Sequence, residues 1–252
     1  MSSHRDFERQ LESLGNQAGM AARYIYADMA IKHAGFKSKK LHDVLNNTPT
    51  FWLVCGSAFQ SAAYMAIGRI FDDKSRYNVS ALLNTALGNI DVFQRPALEI
   101  RKRSGTVSKP KWLDDYLANA YYPKPSDFKR IQKKVDEYRL IYERAIKPAR
   151  NKYLAHREKH DDADVQILFR SGTVKDLWRL STFLLQLHSI LLQLHMNGKK
   201  PVLRSVRHSV PRMYDAKKRN NNLPHELMVA EVKTLMEFME ASQVSRPRES
   251  SI

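Results

Sequence analysis

Apolar residues recur along most of this chain at spacings of three and four, the period of a helix with one buried face. Leu11, Leu14, Ala18, Ala21, Ile25 and Met29 predict a first helix over Phe7 to His33. A polar stretch, Lys37 to Asn47, reads as its connection to a second helix, with Thr48 placed to cap and Pro49 at the first helical position, where no amide donor is needed. From Phe51 to Phe71 that helix is apolar on almost every face, the pattern of an element surrounded by others. Ser80 is placed to cap a short helix over Ala81 to Leu87.

Arg101, Lys102 and Arg103, with Lys109 and Lys111, flank Ser104-Gly105-Thr106 and read as a basic loop. A brief helix over Trp112 to Ala120 ends at Tyr121-Tyr122-Pro123, and Pro125-Ser126 opens the next. That one, Phe128 to Ile146, carries a core stripe of Ile131, Val135, Tyr138, Tyr142 and Ala145 among many cations. Pro148 must bend or interrupt it, because proline has no amide donor and clashes with the carbonyl four residues back. A polar loop and a short apolar piece, Val165 to Phe169, follow. Leu177, Leu180, Leu184, Leu187, Leu191 and Leu194 then give the cleanest repeat in the chain, spaced for a left-handed bundle, and Asn197-Gly198 ends it. Strand signals are nearly absent, so the expected fold is all-α. Residues 1–198 form the expected helical bundle. Residues 199–252 form a basic, helix-containing C-terminal extension, in which Lys199 to Arg219 holds eight cations against Asp215 before an amphipathic helix from Pro224 to Ala241.

Composition narrows the setting. With 252 residues and 43% hydrophobic content the chain can bury a core. The single cysteine, Cys55, excludes an intramolecular disulfide framework and gives no cysteine-rich zinc signature. Met1 to Gln10 lacks the apolar centre of a secretory signal, and Leu180 to Leu194 is broken by polar side chains, so a cytoplasmic protein without a membrane partner is expected. The net charge of +16 favours polyanions, nucleic acid above all, although solubility alone also accounts for part of it.

Candidate chemistry gathers at Arg150-Asn151-Lys152-Tyr153-Leu154-Ala155-His156-Arg157. Arginine offers a permanent charge and a planar fork to phosphate, and histidine exchanges a proton near neutral pH. Residues six apart on a straight helix lie roughly 120° away from a common face and about 9 Å apart in rise. The bend at Pro148, the reach of the arginine, or a second copy across a two-fold axis would have to bring Arg150 and His156 to one phosphate. The second helix closes with Arg69-Ile70-Phe71-Asp72-Asp73, where acids oppose the helix dipole, a misfit that suggests orientation of a basic group or simply a solvated helix end.

The phrase from Arg150 to Arg157, with Phe51-Trp52 opening the second helix and Arg69 to Asp73 closing it, resembles the abortive-infection AbiU-like branch of the HEPN superfamily, whose signature is Arg-x4-6-His. The resemblance covers Phe7 to Leu194. It implies a homodimeric endoribonuclease without metal or other cofactor, acting on RNA in phage defence or toxin-antitoxin growth arrest. Arg150, His156 and Asn151 would be catalytic, and Lys152, Arg157, Tyr153, Asp72 and Arg69 would bind RNA or support the site. A cognate antitoxin is a further possible partner; some HEPN toxins carry a modifiable tyrosine two positions after the histidine, where this chain has Glu158. Two alternatives stay open. A non-catalytic RNA-binding or toxin-antitoxin interaction module would use the same basic surfaces. A metal hydrolase would use His156 and His160 with Asp161 or Asp162, although Arg157 stands where the zincin pattern needs glutamate.

Overall fold

The computed structural model describes residues 2–104, 108–151, 173–204, 209–216 and 223–244. Among them the chain is all-α, without a strand, as the periodicity predicts. The helices are α1 (Ser2–Lys37), α2 (Lys39–Asn47), α3 (Pro49–Phe71), α4 (Val79–Gly88), a 3-10 turn (Ile90–Phe93), α5 (Arg95–Arg103), α6 (Leu113–Asn119), α7 (Pro125–Ala145), the single turn α8 (Lys147–Ala149), α9 (Val174–Asn197), α10 (Val210–Asp215) and α11 (Pro224–Val244). Packing divides them differently from the chain-order expectation of 1–198 and 199–252. One compact unit holds residues 1–18 and 65–206, the other residues 19–64 and 207–252, so α1 and α3 each contribute to both.

In the first unit the leucine repeat of α9 does what its spacing implies: Leu177, Leu180, Leu184, Leu187, Leu191 and Leu194 are all buried. The stripe of α7 packs beside it, Tyr138 stacking on Phe183 with ring centroids 3.9 Å apart. Phe7 of α1 meets Phe93 edge to face at 5.0 Å, and Phe93 meets Phe128 at 5.2 Å, closing the far side of the core. α9 stops at Gly198, whose φ of 55° belongs to the left-handed region. A Cβ there would also sit 2.9 Å from both Ala120 Cβ and Leu98 Cδ2, so glycine is required twice over.

Two expectations for this unit are corrected. Asn78, not Ser80, caps α4: its Oδ1 accepts from the Ala81 amide at 2.8 Å while its Nδ2 donates to the Ser75 carbonyl. Arg101 to Arg103 are the last turn of α5 and not a loop. They sit where a helix dipole favours cations, and two of them reach the end of α9, Arg101 Nε donating to the His195 carbonyl at 3.1 Å and Lys102 Nζ to Asn197 Oδ1 at 2.6 Å. The short apolar piece from Val165 to Phe169 lies outside the described residues.

In the second unit the polar stretch after α1 is itself a helix, α2. Ser38 caps it, and Leu41 supplies its buried contact. α11 packs against α2 and buries Val229, Val232 and Met236; Glu240 accepts from the Ser38 hydroxyl at 2.6 Å. The extension therefore contains a packed helix and not only a solvated arm. α3 departs most from expectation. Its C-terminal part, including Ala63, Tyr64, Ile67, Ile70 and Phe71, is buried, whereas Phe51, Leu53 and Val54 are 59%, 71% and 62% exposed. It is also the described helix long and apolar enough to cross a membrane by length and composition, and only 28% of that apolar window is buried.

Candidate functional site

The first unit brings the end of α3 against the end of α7. α7 breaks at Ile146, where φ is −120°, restarts as the single turn α8 with Pro148 inside it, and passes at Arg150 and Asn151 into a π-type turn. The proline bend is thus present, one turn before the arginine. Such local widening of a helix is frequent at functional positions.

Arg150 points from this turn at the end of α3. Its Nη1 donates to Asp72 Oδ2 at 2.8 Å, and lies 3.3 Å from both Tyr142 Oη and Asn151 Oδ1. Its stem crosses α3 at Gly68: a Cβ on that glycine would fall 2.4 Å from Arg150 Cδ and Nε. The Nε itself is buried and, among the described residues, has no hydrogen-bond partner. Tyr142 is buried, stacked on Phe71 at 5.3 Å and 18°, so the phenol and the guanidinium are both held from below.

A second arginine braces the same corner. Arg139 Nη1 donates to the Phe71 carbonyl at 2.8 Å and to Asp73 Oδ1 at 3.0 Å, and its Nη2 donates to Ser80 Oγ at 2.7 Å. One side chain thereby caps α3, pins the following turn and ties it to α4. The Lys74 amide donates to Asp72 Oδ1 at 3.1 Å, closing that turn from the other side.

Burial alone would raise the pKa of Asp72, but the hydrogen bonds from Arg150 and the Lys74 amide outweigh it, and the carboxyl lies below its ordinary range. Burial would lower the pKa of Arg150; the Asp72 and Tyr142 partners reverse this and raise it. Burial holds the Tyr142 phenol above its usual value despite the arginine, so it stays protonated at neutral pH. Around these groups opens a cleft of about 380 Å³, lined by Lys74, Arg139, Lys147 and Arg150 against Asp72, Asp73 and Glu143, with Phe71, Tyr142 and Asn151. Four cations facing three acids leave it weakly positive, with an arginine fork at its wall.

Of the candidate residues, Arg150, Asn151 and Asp72 come together here. Arg69 does not line the cleft; its Nη1 is 3.4 Å from Gln17 Oε1 on α1. Lys152, Tyr153, His156 and Arg157 lie outside the described residues, as do His160, Asp161 and Asp162 of the metal alternative. Among the described residues no group of three or more His, Cys, Asp or Glu is placed to hold a metal. Gly68, Arg139 and Tyr142 join the corner without standing out in the sequence pattern. Tyr142 reads as one more position of the core stripe, and only its polar tip hints otherwise. Gly68 carried a signal, since glycine inside a helix costs about 1 kcal/mol relative to alanine and commonly marks a close approach.

Compared with known families, the chain matches HEPN_AbiU2, described as AbiU2, over residues 5–203, which includes α1 from its second turn, α2 to α9, the cleft and the Arg150 to His156 motif. No curated protein and no solved structure matches it.

Proposed function

Because the chain belongs to the AbiU2 family of HEPN proteins, we propose that it is a metal-independent endoribonuclease acting on RNA as a homodimer, in phage defence or in toxin-antitoxin growth arrest. The observation that carries this reading is the seat built for Arg150. A glycine clears its stem, a carboxylate and a phenol fix its fork, and a second arginine stabilises the corner that presents them. A surface arginine has no need of such a frame, whereas a group that must meet developing charge without reorganising does.

In this scheme Arg150 holds the scissile phosphate and stabilises the charge that grows on it as the neighbouring ribose 2′-OH attacks. His156 takes the 2′-OH proton or returns one to the departing 5′-oxygen, and the two copies of the dimer divide these tasks; proton transfer of this kind contributes about 10²- to 10⁴-fold. Asn151 shares the anchoring of the Arg150 fork. The products are a 2′,3′-cyclic phosphate and a 5′-hydroxyl, and DNA, lacking the nucleophile, is not cut. Asp72 is a positioning residue, since it touches the arginine and not the phosphate.

Purified protein is expected to cleave RNA in excess EDTA, and His156→Ala and Arg150→Ala to abolish cleavage with unchanged far-UV circular dichroism. Undiminished activity in His156→Ala would overturn the catalytic assignment. Loss of all wild-type activity in EDTA would favour a metal hydrolase, and salt-dependent RNA binding without turnover would favour the interaction module.

A further inference from the structure

We infer that the groove between α7 and the non-helical segment after α9 is a docking site for an extended peptide rich in acidic and aliphatic residues, carried by a partner protein.

The groove lies within the first unit and encloses about 350 Å³, a volume in the range of ligand clefts. Arg130 and Lys134 line it from consecutive turns of α7, and Lys200 from the segment opposite. The rest of the lining is aliphatic. Ile131 and Pro201 are buried, Leu203 is partly buried and Val202 is 47% exposed. Among the described residues no carboxylate and no aromatic ring lines the groove.

The three cations stay available to a ligand. Asp127 accepts from Arg130 Nη2 at 2.5 Å, but that buried carboxylate is also committed to the Tyr121 hydroxyl and the Lys124 amide, and the arginine side chain remains 61% exposed. One edge of the guanidinium is fixed and its other donors face outward. Lys134 pairs with Glu137 at 2.6 Å where both side chains are about half exposed, a contact that contributes little and yields to a better acceptor. Lys200 Nζ lies 5.6 Å from the centroid of the Tyr121 ring, which positions the ammonium without neutralising it.

The backbone and the aliphatic lining decide between anionic partners. Among the described residues, neither Val202 nor Leu203 takes part in a backbone–backbone hydrogen bond. An extended peptide can meet those groups with its own main chain while alternate side chains reach the aliphatic surface and the cations. RNA gains less, because its bases need flat rings to stack on. A free phosphate would use the cations and leave the aliphatic side chains uncovered.

The groove is also separate from the Arg150 cleft. Arg130 and Lys134 precede Arg139 and Glu143 of the cleft by nine positions each, which places them about 180° around α7 and about 14 Å along it. A peptide here and RNA at Arg150 occupy opposite flanks of one helix.

Fluorescence anisotropy on the full chain tests this with a short labelled peptide of alternating glutamate and valine. Because a chain of net charge +16 attracts any acidic peptide, position has to carry the result. Lys134→Glu with Lys200→Glu should weaken binding by more than about tenfold, whereas Lys39→Glu with Lys40→Glu, the same change of charge at exposed positions of α2, should weaken it by less than about twofold. A peptide of alternating glutamate and serine should bind about tenfold more weakly than the valine peptide, since it brings charge without an aliphatic face. Val202→Ser, exposed enough to leave the fold unchanged, should narrow that difference between the peptides and supplies the result should the charge reversals fail to fold. Arg150→Ala should bind the peptide like wild type, so this site and the ribonuclease reading stand or fall separately. No binding up to about 1 mM, equal loss in the two double variants, equal affinity for the two peptides, or a Val202→Ser protein that still separates them fully would overturn the inference. Displacement of the peptide by an equimolar, uncleavable 2′-O-methyl oligouridylate would overturn it in favour of an RNA track.

Discussion

Gly68→Ala tests the seat of Arg150 without touching any polar group. The added Cβ would lie 2.4 Å from Arg150 Cδ and Nε and 3.1 Å from Cζ. Carbon contacts settle near 3.5 Å, so the arginine must retreat by about 1 Å. A retreat of that size stretches the 2.8 Å bond to Asp72 beyond hydrogen-bonding range. Losing a hydrogen bond between charged groups costs about 1.5–3 kcal/mol, less here because the Asp72 side chain is 26% exposed. Alanine returns about 0.5–1 kcal/mol of helix preference. The net destabilisation is therefore about 1 kcal/mol, whereas a 1 Å error in placing a catalytic group can cost about 10²-fold in rate. Urea unfolding and single-turnover RNA cleavage should separate accordingly, with a small shift in midpoint and a large loss of rate. Gly88→Ala in α4, where none of the described residues lies within 4 Å of the added carbon, is the control: it should leave the cleavage rate unchanged and raise the midpoint by helix preference alone, up to about 0.5–1 kcal/mol. Wild-type cleavage by Gly68→Ala would refute the claim that this glycine exists to seat the arginine.

Arg139→Ala should lower stability by about 2 kcal/mol in urea unfolding, because it strips partners from the Phe71 carbonyl, Asp73 and Ser80 together. Arg139→Lys should recover little, since one ammonium cannot span three acceptors on the guanidinium's fork; full recovery would show that only charge matters there. Burial and the nearby Arg101 push the His195 pKa down to about 4 against the opposing pull of Glu8. The unfolded chain takes up this proton below about pH 6.5 and the folded one only near 4, so the contribution is whole above pH 6.5 and is lost as pH falls across that window, at about 1.4 kcal/mol per pH unit. His195→Gln should flatten that slope in urea titrations between pH 7 and 4.5; parallel curves for the two proteins would refute the assignment.

Much of the helical layout is legible because periodicity reports burial wherever one helix face is buried. The leucine repeat of α9 and the stripe of α7 are of that kind. The misreadings share a cause. Asn78 and Ser80 are both competent caps, and the choice falls to Asn78 because its amide also satisfies the preceding turn while Ser80 is taken by Arg139 from α7. Arg101 and Lys102 look like a solvated loop until the end of α9 is placed beside them. The N-terminal half of α3 is as apolar as a core helix, and composition alone cannot tell a face covered by its own chain from one left open.

The site was legible through conflict. Asp72 and Asp73 follow the C-terminus of α3, where a carboxylate is disfavoured by about 0.3–1 kcal/mol, and Gly68 weakens the same helix by about as much. Neither cost is recovered locally. Both are offset by Arg139 and Arg150, which arrive from α7 and the turn beyond it, 66 and 78 positions further along the chain. The end of α9 runs the other way: Gly198 in the left-handed region just past the last turn and Asn197 held by Lys102 agree with the local rules for a helix end, and that corner needs only to be stable. Where local preference and the fold agree, stability explains the residues. Where two local penalties converge on one arginine, stability does not, and the role proposed for Arg150, meeting a charge in a fixed place, supplies the reason that local preference lacks.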